Sequence, residues 1–237
     1  MTVSPLNDAS LVLWQDDSLL VVNKPSGLAT LPEGWDREAP HLKATLEPVF
    51  GRLWVVHRLD KETSGVLVLA RSAEAHRDLN RQFEGRAVEK VYHALVAGEP
   101  AWETRQVGLA LRPNSDRKHR TTIDPRAGKQ ALTALRVLAR LRGATLLEAV
   151  PHTGRTHQIR AHLAALRHPI LGDNLYGDWP AQGLRREDFP PSLPWPSRLL
   201  LHARSLTISH PVRHEHLHFE APYPPDFQEI LIGLTRG

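Results

Sequence analysis

Short apolar runs separated by polar turns predict an ordered series of strands along this chain. Helical periodicity is confined to three segments, and several of the predicted strands follow one another without a helix between them. That order favours an α+β fold with a mainly antiparallel sheet over a parallel Rossmann-type sheet. The predicted strands cover residues 19–23, 53–56, 66–70, 90–96, 131–137, 145–150, 199–208 and 217–220, and the predicted helices cover 72–85, 156–167 and 225–234.

The first predicted helix has clear end signals. Ser72 is a suitable N-cap, and Gly85 is a suitable terminator. Ala75, Leu79 and Phe83 recur at a spacing of four, so they share one apolar face. We therefore expect this helix to pack that face against the sheet.

Length and composition indicate one globular domain over residues 1–237. Cysteine is absent, which excludes disulfides, thiolate nucleophiles and zinc sites with thiolate ligands. The first ten residues lack the features of a signal peptide, and no apolar run approaches the ~20 residues of a membrane span. A soluble cytoplasmic protein with no membrane partner is expected.

Positive charge is concentrated in residues 112–129. This segment holds six Lys and Arg against two acids, whereas the whole chain carries a net charge of +4 with a pI near 9.7. Its prolines and glycine predict a mobile loop. Such a loop could contact the phosphates of a polyanion, although a solvated surface loop remains the alternative.

The densest polar cluster is HRLDKETSG at residues 57–65, between two predicted buried strands. Asp60 lies between Arg58 and Lys61, so its carboxylate would stay charged and well positioned. A solvated turn would have the same composition. Asp60 is nevertheless the first candidate for a catalytic group.

A second polar cluster, PHTGRTHQIR at residues 151–160, follows a strand and opens a helix. The backbone N–H groups of a helix start, together with Arg155, would form an anion-friendly site. Arg155 could also pair with Asp60. Ordinary helix capping is the alternative. In this helix we expect Ile159 to be buried and Arg160 to face away from the core.

Histidine and tyrosine leave further alternatives open. His152, His157 and His162 recur every five residues, which does not place them on one helix face, and the chain has neither an HExxH motif nor a nucleotide-binding glycine motif. No metal site is expected. Tyr92 lies inside a predicted strand, where it either packs in the core or stacks on a base.

Five motifs together resemble the RluA-type family of pseudouridine synthases. They are VVNKPSGL, HRLDKETSG, EKVYHALVAG, PHTGRTHQIRAHL followed by HPILGDNLYG, and LLLHARSLTISHP, in that order over residues 19–211. The resemblance implies a mixed, mainly antiparallel central sheet with flanking helices and an RNA-binding cleft. It implies isomerisation of uridine to pseudouridine by base flipping, with no cofactor and no metal. The expected partner is ribosomal RNA, transfer RNA or both, bound as stem-loops.

The same resemblance assigns roles to individual residues. Asp60 matches the essential catalytic aspartate, Tyr92 the active-site tyrosine, and Arg155 the basic residue paired with the aspartate. Arg58 matches the arginine that enters the RNA stack when the target base leaves it. Further substrate-binding residues are expected within the shared motifs, at Lys24, His57, Thr63 and Arg160.

Several points stay open at the level of sequence. Asp60 could act as a nucleophile or as a base, because both roles need the same geometry. The family's N-terminal accessory RNA-binding domain is expected to be missing, and the protein is expected to be a monomeric, single catalytic domain. A proline-rich connection at residues 178–198 has no assigned role. A non-catalytic RNA-binding protein and a His-dependent metallohydrolase are the alternative functions.

Overall fold

The chain forms two compact units in a computed structural model that describes residues 11–32, 38–177, 189 and 193–235. The first unit is built from the described residues up to Lys90 and from Ala203–Pro222. The second unit is built from the described residues of Val91–His202 and from Tyr223 onward. The chain therefore leaves the first unit after Lys90, returns to it at Ala203 and leaves it again after Pro222.

The first unit combines an antiparallel set of strands with two helices. β2 pairs with β1 on one side and with β4 on the other, and β3 also pairs with β4. β4 is followed in the strand order by β11, which pairs with β12. The elements are β1 (Val12–Gln15), β2 (Leu19–Lys24), α1 (Leu42–Phe50), β3 (Trp54–Val55), β4 (Ser64–Ala70), α2 (Ala73–Glu84), β11 (Leu201–Ser209, from Ala203 onward) and β12 (His216–Glu220).

The core of the first unit lies between β4 and α2. Every residue of β4 is buried, which explains why its sequence is a continuous apolar run. The α2 helix begins as predicted, because the Ser72 side chain accepts a hydrogen bond from the Ala75 amide, and it ends at Gly85. Ala75 and Leu79 then bury the predicted apolar face.

Gly65, the second residue of β4, lies where two backbones approach closely. Its φ angle is +117°, and a Cβ atom there would overlap the backbone of Ala203. A side chain is excluded both by this contact and by the backbone conformation. The glycine of HRLDKETSG is thus required by the packing of the strand that follows the polar loop.

The second unit is also mainly antiparallel. β10 pairs with β5 and β9, and β6 extends the set beyond β9. β7 and β8 form a separate two-stranded hairpin. The elements are β5 (Glu89–Ala97, from Val91 onward), β6 (Thr104–Val107), β7 (Leu111–Arg112), β8 (Thr122–Ile123), β9 (Thr133–Leu141), β10 (Ala144–Pro151), α3 (Gln158–Ala165) and α4 (Pro225–Thr235).

The core of the second unit includes part of the proline-rich connection. Most of residues 178–198 lies outside the described residues. Where it is described, Phe189 is buried and its ring contacts Trp195 edge to face at 5.2 Å. Leu193 packs against Gly233 of α4. The described part of the proline-rich connection therefore contributes side chains to the core of the second unit.

The prediction of an α+β fold with a mixed, mainly antiparallel sheet is confirmed. The predicted strands and helices are present, with ends shifted by a few residues, whereas α1 was not predicted. This helix has only nine residues and contains Pro48, which weakens any helical signal in the sequence. No helix in the described ranges is long and apolar enough to cross a membrane.

Candidate functional site

The HRLDKETSG segment forms a tight loop between β3 and β4. Leu59 is buried and anchors the loop, while Arg58 is exposed and Asp60 is half-buried. The Asp60 carbonyl accepts a hydrogen bond from the Thr63 amide at 3.0 Å, which closes a turn. The anchored leucine therefore directs its two charged neighbours towards the surface.

The backbone of this loop is held by the NKPSG segment. Thr30 donates to the Leu59 carbonyl at 3.1 Å, and Ser26 donates to the Glu62 carbonyl at 2.7 Å. The Gly27 amide donates to the Lys61 carbonyl at 2.9 Å. Together with the turn at Asp60, these bonds fix all four carbonyls of residues 59–62. The loop is consequently pre-organised around Asp60.

Lys24 contributes the charged part of this support. Its side chain is fully buried, and its ammonium group donates to the carbonyls of Pro25, Leu28 and Lys61 at 2.9, 2.7 and 3.1 Å. A buried ammonium needs such partners because its desolvation is costly. The burial favours a positioning role over the direct substrate contact that the sequence predicted.

His57 is also a support of the loop. Its Nε2 atom accepts the Val68 amide at 3.1 Å, and its ring stacks on Phe83 at 4.6 Å. Burial, and secondarily the charge of Lys90, lowers the pKa of His57 to about 3. The ring is therefore neutral at physiological pH. Thr63 is buried and His57 is half-buried, so both residues favour a structural role over the predicted RNA contact.

Tyr92 lies on β5, opposite Ala149 of β10. Its side chain is partly buried against the core of the second unit. Asp60 belongs to the first unit, whereas Tyr92 and Arg155 belong to the second. The pairing of Asp60 with Arg155 stays a prediction.

The loop that carries Arg155 is organised by the side chain of Gln158. The Gln158 Oε1 atom accepts the Arg155 amide at 3.1 Å and the Thr153 hydroxyl at 2.7 Å, while its Nε2 atom donates to the Leu132 carbonyl at 3.0 Å. The Arg155 amide is thus occupied within the protein. This amide is therefore not available to an anion, and the half-buried Arg155 side chain donates from Nε to the Gln130 carbonyl at 3.2 Å.

Arg160 is buried, contrary to the expectation that it faces away from the core. It forms a bidentate ion pair with Asp173, with both N–O distances at 2.8 Å, and its guanidinium lies over the Tyr176 ring at 5.0 Å. Burial raises the pKa of Tyr176. Its hydroxyl therefore stays protonated, and Arg160 favours a positioning role over direct RNA binding.

The basic segment, residues 112–129, folds around the β7–β8 pair and is called the basic hairpin below. Asp116 accepts hydrogen bonds from the Arg120 side chain at 2.6 Å and from its amide at 2.9 Å. Asp124 similarly accepts the amides of Arg126 and Ala127. Both acids are therefore engaged inside the hairpin. The exposed ionisable side chains of the segment are all basic, namely Arg112, Arg117, Lys118, His119, Arg126 and Lys129.

Two of the three histidines that recur every five residues have partners within the protein. His157 contacts the Tyr176 hydroxyl at 3.2 Å. His162 is fully buried between the Thr133 hydroxyl and the Leu109 carbonyl, and burial lowers its pKa. Among the residues that the structure describes, no group of three or more His, Asp or Glu side chains could hold a metal ion.

Two organising residues, Gln158 and Tyr176, were not identified from the sequence. Both lie inside quoted motifs, PHTGRTHQIRAHL and HPILGDNLYG. The motifs indicate that the two segments are functionally important. They do not indicate that Gln158 and Tyr176 are buried, because polar side chains of this kind are usually exposed. Only the fold shows that each satisfies the backbone of a neighbouring loop.

Comparison with known proteins identifies similar sequences. The model of a family described as RNA pseudouridylate synthase matches residues 18–165. The dual-specificity RNA pseudouridine synthase RluA of Haemophilus influenzae is 38% identical over 92% of this chain and 94% of its own length. The ribosomal large subunit pseudouridine synthase C of Vibrio parahaemolyticus is 35% identical over 96% of this chain and 70% of its own length.

Two solved structures resemble the fold. The human RNA pseudouridylate synthase domain containing 4 aligns with a TM-score of 0.76 and 27% identity, covering 97% of this chain and 96% of the human chain. The human RNA pseudouridylate synthase domain containing 1 aligns with a TM-score of 0.72 and 31% identity, covering 90% and 83%. Both similarities extend over nearly the whole chain.

Proposed function

The chain belongs to the RNA pseudouridylate synthase family, and from that membership we propose that Asp60 is its catalytic carboxylate, with Tyr92 and Arg155 as partners. The protein is an isomerase that converts uridine to pseudouridine in RNA. Its residue roles are the subject of the proposal.

One observation carries the assignment of Asp60. Its loop is fixed at four consecutive carbonyls, while Asp60 itself is only half-buried and Arg58 is exposed. A surface turn does not need such support. A reacting group does, because misplacement by about 1 Å can cost a factor of 10² in rate. The rigid backbone with an accessible acid is what this chemistry requires.

The reaction is an exchange of bonds within one nucleotide. The bond from ribose C1′ to uracil N1 breaks, the ring turns, and a new bond forms from C1′ to uracil C5. The proton on C5 is then lost and N1 gains one, so no net oxidation occurs. Asp60 either attacks the nucleoside or removes a sugar proton, and both routes require a charged carboxylate beside the ribose.

The other residues would support this exchange. Tyr92 would stack on the uracil and assist loss of the C5 proton. Arg155 would keep Asp60 charged against the desolvating effect of bound RNA. Because enzymes that act on a base remove it from the stack, at a cost of a few kcal/mol, Arg58 would fill the vacated space. Its exposed position is compatible with that role.

Lys24, His57, Thr63 and Arg160 would act differently from these groups. All four make internal contacts that hold the Asp60 loop or the second unit. We assign them to positioning. RNA phosphates would instead meet the exposed side chains of the basic hairpin, residues 112–129, since Lys and Arg neutralise the phosphate backbone.

The RNA substrate is proposed from the family. The ribosomal large subunit appears in the name of one relative, and dual specificity for RNA in the name of another. We propose ribosomal RNA, transfer RNA or both, recognised as stem-loops. The two units would act together as one catalytic domain, working as a cytoplasmic monomer. The comparisons do not favour a non-catalytic RNA-binding protein or a metallohydrolase.

Replacement of Asp60 tests this proposal. Asp60→Asn keeps the size of the side chain and removes its charge, so pseudouridine formation should be abolished while RNA binding largely survives. Asp17→Asn makes the same change at an exposed site in the same unit and should retain activity. The measurement is pseudouridine content of a ribosomal or transfer RNA transcript after incubation. Turnover by Asp60→Asn would refute the assignment.

A further inference from the structure

The Tyr176 hydroxyl lies at the base of the basic hairpin. It accepts the Thr121 amide at 2.8 Å and donates to the Thr121 carbonyl at 3.2 Å. A phenol offers one proton and two acceptor positions. The Tyr176 hydroxyl therefore hydrogen-bonds to both the N–H and the C=O group of Thr121. Both partners are buried, with Tyr176 exposed to 4% and Thr121 to 2%.

Thr121 in turn joins the hairpin to the loop of Arg155. It directly precedes β8, the second strand of the hairpin. Its own hydroxyl donates to the carbonyl of Thr156 at 2.9 Å, the residue after Arg155. The basic hairpin and the Arg155 loop thus meet at one residue, and Tyr176 holds that residue.

The position of Tyr176 is in turn fixed by Asp173, Arg160 and His157. Asp173 accepts the amides of Leu175 and Tyr176 at 3.0 Å each, while it pairs with Arg160. His157 contacts the Tyr176 hydroxyl at 3.2 Å and packs edge-on against the ring. Neither Asp173 nor Arg160 is accessible enough to meet RNA, with side-chain exposures of 0% and 8%.

Such a network is poorly explained by stability alone. A buried ion pair contributes little net stability relative to apolar packing, because desolvation offsets its attraction. It does fix geometry, since Arg and Asp meet in one bidentate arrangement. The geometry fixed here is that of the Tyr176 turn, and through Tyr176 that of Thr121.

We propose that Tyr176 is a positioning residue that holds the basic hairpin, residues 112–129, beside the Arg155 loop so that both engage the same RNA. This inference rests on the proposed function, in which the hairpin contacts RNA phosphates. The HPILGDNLYG motif would thus support RNA binding without itself contacting the RNA. Arg160 and Asp173 serve that task by fixing Tyr176.

Tyr176→Phe removes only the hydroxyl. The buried amide and carbonyl of Thr121 then lose a partner, which weakens the attachment of the hairpin. RNA binding must then order the loosened hairpin, which costs binding free energy. The KM for a structured stem-loop should therefore rise about tenfold. The turnover number at saturating RNA should stay within about twofold, because Gln158 still holds the Arg155 loop and the Asp60 loop belongs to the other unit.

The control is Tyr223→Phe, the same change in the same unit. Tyr223 contacts His93 and stacks on Phe227, far along the chain from the hairpin. It should leave KM unchanged. Hydrogen exchange adds a direct readout, because amides of residues 112–129 should exchange faster in Tyr176→Phe and at the wild-type rate in Tyr223→Phe.

A double-mutant cycle separates positioning from a general structural effect. In a background with Arg117→Gln and Arg126→Gln, the hairpin has lost two exposed charges. Tyr176→Phe should then raise KM by clearly less than tenfold, because the contacts that it positions are gone. An equal rise in both backgrounds, or an unchanged KM in Tyr176→Phe, would overturn the inference.

These outcomes are distinct from failure of the proposed function. If the wild-type protein forms no pseudouridine, or Asp60→Asn remains active, the assignment of function fails. If the wild-type protein is active, Asp60→Asn is inactive and Tyr176→Phe behaves as wild type in KM and exchange, only the positioning role of Tyr176 fails.

Discussion

The ammonium group of Lys24 donates a hydrogen bond to the backbone carbonyl of Lys61 at 3.1 Å. Lys61 directly follows Asp60 in the chain. A fully buried cation thereby supports the backbone next to the half-buried Asp60. The ammonium group also donates to the carbonyls of Pro25 and Leu28, which lie in the turn that follows Lys24. Lys24 therefore ties two motifs that are separated by more than thirty residues.

Lys24→Met should loosen the Asp60 loop. The thioether keeps the apolar stem but leaves three carbonyls without their charged donor, so the free energy of unfolding should fall by about 2–4 kcal/mol. The turnover number should fall as well, because the loop is no longer held. Urea denaturation and single-turnover kinetics measure the two effects. Lys61→Met, at the exposed neighbour, is the matched control, and equal behaviour of the two variants would contradict the role of Lys24.

His57 should make stability depend on pH. Its pKa is about 6.5 when unfolded, and burial, followed by the charge of Lys90, lowers it to about 3 in the fold. Between these values the unfolded chain binds more protons, so the free energy of unfolding falls as pH falls from 6.5 towards 3, by about 1.4 kcal/mol per pH unit from this residue. Above pH 6.5 its contribution is constant.

The variant His57→Gln isolates this dependence. Glutamine cannot titrate, so the difference in the free energy of unfolding between wild type and variant should change across pH 4–6.5 and be flat above it. Urea denaturation at several pH values provides the measurement. His152→Gln replaces an exposed histidine and should show a flat difference throughout. A flat difference for His57→Gln would contradict the lowered pKa of the ring.

Arg58→Ala tests the base-flipping role. If the guanidinium fills the gap left by the flipped base, its loss should impair capture of a uridine in a folded stem-loop by about tenfold or more, and should affect an unstacked single-stranded target less. The ratio of kcat/KM for the two RNAs is the measurement. Arg77→Ala, at an exposed site on α2, should leave that ratio unchanged. Equal losses on both RNAs would argue against flipping.

Gly65→Ala should destabilise the first unit. The added methyl group would overlap the Ala203 backbone at a φ angle of +117°, so we expect a loss of roughly 3 kcal/mol or more in the free energy of unfolding. Gly154→Ala is the control, because no atom lies within 4 Å of its Cβ position. Thermal and urea unfolding of both variants would decide, and similar stabilities would contradict the close approach of the two strands.

Several elements could be predicted because their signals are local. The α2 helix follows from Ser72, its apolar face and Gly85, all within fourteen residues. The strand β4 follows from a continuous apolar run. The α1 helix was missed because Pro48 opposes helix formation locally, while packing of Leu42 and Leu46 in the core sustains it. Helix propensity is a weak guide to structure where the burial of apolar side chains supplies the stabilising free energy.

The sequence by itself determined the family, the reaction and the residues that motifs carry, because the chemistry requires particular groups in a particular order. Only the tertiary structure decided which of those residues face solvent. Lys24 and Arg160 have the composition of RNA-binding residues, yet both are buried against partners distant in sequence. Burial depends on contacts between segments far apart in the chain, and no local pattern of polar residues encodes it.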